Sequence, residues 1–212
     1  MKKLFTLLIL SITLISCNSD DDNQSFNFEI GDDYQGGVIF YIDDTGEHGL
    51  IVHTLDLDAA PWGCLDTDPN PPNPEPPTTP IAQNEGIGFG EQNTLAIIDY
   101  CVETDIAARL ANNFNANGYD DWFLPSIEEL KLVFENKDLI GGFPDLNNDP
   151  IQGEYYLYSS SSEGVETGDG NGGFYYLNYY VYDFSNTTVI QNVRKVLTGK
   201  DNDAIVRPIR SF

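Results

Sequence analysis

The sequence predicts an α+β protein built on an antiparallel sheet with two main helical regions. Three observations point there. Val38–Ile42 and Gly49–His53 are apolar runs around Asp43-Asp44-Thr45-Gly46, the pattern of a β-hairpin. Leu95, Ile98 and Cys101 recur at intervals of three, and Ile106, Leu110 and Phe114 at intervals of four, both helical spacings. Strand-like runs at 155–158, 174–184, 187–193 and 204–209 then follow, separated by Gly, Asp and Asn. A hairpin, then helices, then strands provides no strand–helix alternation from which to build a parallel sheet.

The chain opens with Lys2-Lys3, an apolar run from Leu4 to Ile15, and small Ser16. Residues 1–16 therefore read as a secretory signal peptide, too short and wrongly flanked to span a bilayer. Leu14-Ile15-Ser16-Cys17 resembles the bacterial lipobox, which implies that Cys17 becomes a lipidated N-terminus; the alternative is a secreted chain with an incidental cysteine. Asp20-Asp21-Asp22 resembles the surface-export signal of Bacteroidota lipoproteins and implies the outer face of the outer membrane, the alternative being a plain acidic spacer. Residues 17–33 read as a lipidated cysteine and flexible tether, because the Asn, Ser, Asp and Gln of its first part bury too little apolar area to order themselves. Residues 34–212 read as one domain.

The 212 residues carry a formal charge of −24, and since residues 1–16 hold two lysines and no acid, the remainder carries 8 − 34 = −26. That excess excludes nucleic-acid backbones and anionic lipid headgroups as partners. A cationic polymer, a divalent metal or a neutral glycan suits it better. The 12% aromatic content supplies a sizeable core. Setting Cys17 aside leaves Cys64 and Cys101, expected to form a disulfide in an oxidising compartment; two separate buried thiols are the alternative. His48 and His53 lack any zinc-like spacing, so no metal and no cofactor are expected.

Residues 66–80 hold seven prolines and read as an exposed insertion. Gly86-Ile87-Gly88-Phe89-Gly90 lacks the lysine or third glycine spacing of a nucleotide loop and reads as a tight turn. A break is expected between the two helical segments near Thr104. Ser126-Ile127-Glu128-Glu129 is a capping box, with Ile127, Leu130, Val133 and Phe134 as the buried stripe of a helix that ends near Asn136.

Several blocks recur in a characteristic order: Gly36–Tyr41, His48–Val52, Trp62–Cys64, Gly86–Gly88 with Asn93-Thr94, Ile106–Arg109, Gly118–Ser126, Ile140–Phe143, Ser160–Glu163 and Val206–Phe212. Together they resemble the C-terminal domain of the Legionella collagen-like adhesin and its bacterial relatives. The resemblance covers about residues 34 to 212 and implies a C-type-lectin-like fold. That fold is distantly similar to the formylglycine-generating proteins, whose Arg-Leu-Pro-Thr segment looks like Phe123-Leu124-Pro125-Ser126. Their cysteine chemistry does not carry over, because no cysteine follows Cys101. Ser159, where relatives often have Trp, and the proline-rich insertion depart from the pattern.

Two roles suit the motif residues Trp62, Asp120, Asp121, Trp122, Pro125, Ser126, Glu163, Arg207 and Arg210. In the architectural role the tryptophans fill the core and Arg207 or Arg210 pairs with Asp120 or Asp121; the other role is a ligand site. Tyr175, Tyr176, Tyr179, Tyr180 and Tyr182 offer a stacking platform for sugars, although strand alternation turns about half of them inward. Asp145–Asp149 imitates a calcium loop, but Pro150 replaces its glycine, and the Glu-Pro-Asn and Gln-Pro-Asp triplets of sugar-binding lectins are absent. No hydrolase motif is present. The expected function is a non-catalytic adhesion module, lipid-anchored on the cell surface, for an extracellular glycan or matrix polymer. The alternatives are an assembly component packing through the tyrosine-rich strands, or a glycan hydrolase. Anionic glycosaminoglycans fit only if Arg194, Lys195, Lys200 and Arg207 form a local patch.

Overall fold

The computed structural model describes residues 27–65, 80–144, 156–164, 167–168, 174–175, 177–185 and 194–212. The segment read as a signal peptide, Cys17, most of the segment read as a tether, the proline-rich stretch up to residue 79, Asp145–Asp149, Tyr176 and the strand expected at 187–193 lie outside these residues. In chain order the strands are β1 (Asp33–Tyr34), β2 (Gly37–Ile42), β3 (Gly49–Val52), β4 (Leu57–Ala60), β5 (Leu157–Glu163), β6 (Thr167–Gly168), β7 (Phe174–Tyr175), β8 (Asn178–Asp183), β9 (Lys195–Gly199), β10 (Ala204–Val206) and β11 (Ile209–Ser211). The helices are α1 (Gly90–Tyr100), α2 (Ala107–Asn112), α3 (Ile127–Glu135) and the single turn α4 (Lys137–Ile140). A mixed α+β fold results.

The hairpin forms as expected, β2 pairing antiparallel with β3. It sits in a four-stranded sheet ordered β1-β2-β3-β11, while β4-β10-β5-β8-β9 form a second, five-stranded sheet. One pairing corrects the expectation of an antiparallel sheet: β10 runs parallel to β5. The physical reason lies in the connection: β5 and β10 are joined not by a tight turn but by a long stretch through β8 and β9, which lets β10 return along the other edge of β5 in the same direction, antiparallel to β4. Arg207-Pro208 then carries the chain from β10 in one sheet to β11 in the other, with the Pro208 carbonyl accepting from the His53 amide at 3.0 Å.

Both faces of the smaller sheet are covered, which explains the unbroken apolar run in β2. Val38 and Phe40 point into a core shared with Leu130 and Val133 of α3, and with Tyr158 and Phe184. Ile39 and Ile51 point the other way, onto Trp122. A third cluster joins α1 and α2 to the larger sheet through Trp62, Ile97, Ala108, Ala111, Val181 and Val206. The fold also reaches back into the segment read as tether. Phe28 lies 4.9 Å from both Tyr34 and Phe212, centroid to centroid, and Ile30 packs on the same cluster. Phe26, Phe28 and Ile30 alternate with polar residues in the sequence, a short apolar signal that the polar composition of the preceding stretch outweighs; the partner of Phe28, Phe212, is at the far end of the chain.

The capping box of α3 is complete: the Ser126 hydroxyl accepts from the Glu129 amide, and Glu129 accepts from the Ser126 amide. Helix α1 starts four residues before Thr94, at Gly90. Cys64 and Cys101 form the expected disulfide across a separation of 37 residues. No helix among the described residues is long and apolar enough to cross a membrane.

Candidate binding site

The loop between α2 and α3 carries Gly118-Tyr119-Asp120-Asp121-Trp122. Its first turn is closed by paired backbone bonds between Ala116 and Tyr119, with Asn117 and Gly118 both at positive φ, 56° and 86°. Trp122 is buried and donates its indole N–H to the Tyr119 carbonyl at 3.1 Å, locking the loop. Arg210 of β11 meets this loop from the sheet. Its Nε and one terminal nitrogen donate to the two Asp121 oxygens at 2.7 and 2.8 Å, and its guanidinium stacks 4.2 Å from the Tyr119 ring centroid. The guanidinium beside Asp121 holds that carboxyl below its ordinary value. Asp120 is exposed.

The remaining Arg210 nitrogen donates to Gln35 Oε1 at 2.6 Å. Gln35 sits in the tight turn between β1 and β2 at φ 43°, a left-handed conformation unusual for a residue with a side chain. Asn117 bridges back by donating its amide to the Gly36 carbonyl at 3.3 Å. Two non-glycine residues in the left-handed region thus face one another across an open groove of about 350 Å³. Its lining also includes Asp33, Tyr34, Gly37 and Thr54. Backbone strain of this kind, on the order of 1 to 3 kcal/mol per residue, persists where surrounding contacts over-determine it and gathers at ligand clamps.

The chemistry of the groove is that of hydroxyl recognition. Because Arg210 occupies the Gln35 oxygen, the Gln35 NH2 group is fixed as a donor. Asp33 supplies an acceptor, the Tyr34 and Thr54 hydroxyls donate or accept, and the Tyr34 ring offers an apolar face.

Other motif residues are architectural. Arg207, fully buried, donates to Asp56, to the His53 carbonyl at 3.0 Å and to the Gly142 carbonyl at 2.9 Å, and lies over the Phe143 ring at 4.1 Å. Asp56, not Asp120 or Asp121, is therefore its carboxylate partner, and Asp56 also accepts from the Tyr158 hydroxyl at 2.9 Å. His53 stacks edge-on against Phe114 and Trp122, and burial holds its pKa below the ordinary imidazole value. The glycine-rich turn before α1 proves to be a cradle: Glu129 Oε1 accepts from the Gly88 amide at 2.7 Å, and burial raises the Glu129 pKa. Pro125 is buried, and its carbonyl accepts from the Ser161 amide at 2.7 Å. Ser162 bonds the Asn84 carbonyl and the Ile127 amide, and Glu163 reaches Lys200 beside the buried Trp62.

The tyrosine platform requires correction. Tyr179 is fully buried and donates its hydroxyl to the Asn202 carbonyl at 3.1 Å, while Tyr182 is buried against Phe134 and Phe184. Neither offers a face to a sugar. Tyr180 is half-buried with the Lys195 amine 4.0 Å over its ring. Tyr175 is described only by its backbone in β7, and Tyr176 lies outside the described residues. Tyr179 and Tyr182 lie on opposite faces of β8, and both faces are covered, Tyr179 by the cluster with α1 and α2 and Tyr182 by the cluster with α3.

The basic patch is not there either, since Lys200 and Arg207 are fully buried. All eight cations after residue 16 are committed. Arg109 and Arg194 donate to backbone carbonyls, and Lys131, Lys137, Lys195, Lys200, Arg207 and Arg210 pair with Glu128, Asp138, Glu85, Glu163, Asp56 and Asp121. Among the described residues no group of three or more His, Cys, Asp or Glu is arranged to hold a metal. Sequence reading missed Tyr34, Gln35, Thr54 and Asn117. The Gln35-Gly36-Gly37 and Asn117-Gly118 turn signals were available, but their meeting depends on Arg210, 175 residues beyond Gln35.

No protein-family model matches the chain, and no curated protein matches it in sequence.

Proposed function

We propose that the chain is a surface-exposed bacterial lipoprotein whose C-type-lectin-like domain binds a neutral extracellular glycan, without catalysis, in the groove between Gln35 and Asn117. The observation that carries this is the Arg210–Gln35 bond, which presents a fixed amide donor beside hydroxyl and carboxylate partners and an aromatic edge. With every cation engaged within the fold, the exposed surface is dominated by carboxylates, which favours neutral over sulfated or uronic polymers. Export and the Cys17 anchor rest on the leader and the lipobox resemblance.

The test is an array of neutral and anionic glycans probed with the mature chain and with Gln35→Ala and Asn117→Ala variants. Neutral-glycan signal weakened about tenfold in each variant is expected, one lost hydrogen bond each. Binding confined to anionic glycans, or unchanged in both variants, would overturn the proposal. Assembly with other envelope proteins is a second role, favoured by exposed Leu95, Tyr100 and Val102 on and just after α1. Protein hits with a blank glycan array would support it instead.

A further inference from the structure

Lys200 and Glu163 are the most deeply buried ion pair in the described structure: both side chains are 0% exposed, and the amine lies 2.5 Å from Glu163 Oε1. Taking two opposite charges fully out of water costs several kcal/mol per ion, so their contact alone recovers that cost poorly. The rest of the site is buried as well. The Trp62 ring lies 4.1 Å from the Lys200 amine, and Tyr179 packs behind it at 6.2 Å between centroids. The second carboxyl oxygen, Glu163 Oε2, accepts from two consecutive backbone amides, Ile81 at 2.6 Å and Ala82 at 3.4 Å. Glu103 is near enough for its charge to act on Lys200, and its Oε2 atom is buried.

We infer that Lys200 and Glu163 condense, once the chain has folded, into an intramolecular isopeptide bond. Nζ, as the neutral amine, attacks Cδ of the protonated Glu163 carboxyl. The Nζ–Cδ bond forms, the Cδ–Oε1 bond breaks, and Oε1 leaves as water carrying one proton from the amine and its own hydroxyl proton. Atoms balance with the loss of one water, and no oxidant or activating group is consumed.

Each feature of the site matches a requirement of that step. An amine in hydrogen-bond contact with a carboxyl oxygen is within the near-attack range of its carbon, about 3 to 3.5 Å. Transfer of the shared proton from Lys200 to Glu163 makes the neutral, reactive pair, and desolvation favours release of that proton by holding the Lys200 amine below an ordinary lysine. The Ile81 and Ala82 amides stand where an oxyanion develops on Oε2, and they keep the same oxygen as the amide carbonyl in the product. Condensation replaces two buried charges by one neutral amide, which removes the desolvation penalty. The bond would tie the end of β5 to the turn after β9, close to the Cys64–Cys101 disulfide that follows Trp62, and unlike that disulfide it would not yield to reductant.

The experiment is peptide mass spectrometry on the reduced, denatured, trypsin-digested mature chain. Arg207 precedes a proline and resists cleavage, so an isopeptide-linked chain yields residues 138–194 joined to an uncut 196–210, lighter by one water than the two peptides together. Its disappearance in Lys200→Ala confirms the assignment. Free peptides 196–200 and 201–210, or an unlinked 196–210 of full mass, would overturn the proposal. The wild-type digest decides alone should the variant fail to fold. Its outcome is independent of whether the groove binds glycan.

Discussion

Arg210 and Asp121 are joined by two parallel hydrogen bonds, 2.7 and 2.8 Å long, between a buried guanidinium on the last strand and an exposed carboxylate in the loop before α3. The same guanidinium holds Gln35. One arginine therefore ties the 118–122 loop, which follows the groove-lining Asn117, to the turn after β1.

Arg210→Lys keeps the charge but loses the planar fork and the third donor direction. Stability is expected to fall by about 1 to 3 kcal/mol, read as a lower urea midpoint at unchanged slope. The NMR signal of the Gln35 side-chain amide should move and broaden toward a freely rotating amide. An unperturbed Gln35 amide would show that Arg210 does not position it.

The two carboxyl–glycine contacts at the start of α1 separate strain from crowding. A methyl group at Gly90 runs into the Glu129 carboxyl and lies 2.9 Å from the Leu124 carbonyl, whereas at Gly88 it meets open space but sits at φ 87°. Gly88→Ala is expected to cost about 1 to 2 kcal/mol from backbone strain alone. Gly90→Ala should cost more, because a buried acceptor and a carbonyl must both shift. Thermal melts of the two variants that fall in the opposite order would refute the cradle.

Cys64→Ser removes a cross-link closing a separation of 37 residues. A loss of about 3 to 4 kcal/mol is expected by chemical denaturation, and reductant should then leave the variant's midpoint unchanged while lowering that of the wild type.

Two groups give opposite ends of the acid-denaturation curve. His53 is held below its ordinary value of 6.5, chiefly by burial, so the unfolded chain takes up its proton first and stability falls as pH drops below about 6.5. Asp121 is held below 3.8, chiefly by its bond to Arg210, so its contribution is present above that value and is lost as pH falls through the lower, folded one. Melting temperatures followed from pH 7 to pH 2 should show His53→Phe flattening the upper window and Asp121→Asn the lower. A variant curve parallel to wild type in its own window would contradict the assigned shift.

Local pattern carried the hairpin, the capping box, the helix break and the pairing of Cys64 with Cys101, because each depends on nearby residues or on the simple count of cysteines. Contacts between segments far apart in the chain were not legible. The parallel pairing of β10 with β5 joins Ile205 to Tyr158, far apart in the chain, and Arg207 takes Asp56 rather than Asp121 because it lies in the link between the two sheets whereas Arg210 sits in β11. Ser159–Glu163 has no apolar pattern to mark it as a strand, yet it continues β5 fully buried, its hydroxyls and carboxylate bonding the 81–86 segment and α3. Polar residues in a core strand defeat any hydrophobicity pattern. The groove was hidden for a related reason: its parts, at 33–37, 54 and 117, are each ordinary turn residues until Arg210 gathers them.

Phe28 and Phe212 touch ring to ring at 4.9 Å, and the Phe212 backbone exchanges hydrogen bonds with Gly49 in both directions. The first and last parts of the folded unit therefore lie at one pole, a few ångströms apart. A domain with that geometry tolerates circular permutation: a short glycine-serine linker can join residue 212 to residue 27, with new ends opened in the exposed Asp44-Thr45 turn, leaving both sheets intact. It can equally be spliced as a cassette into a surface loop of another protein, where both junctions fall at neighbouring points of the host.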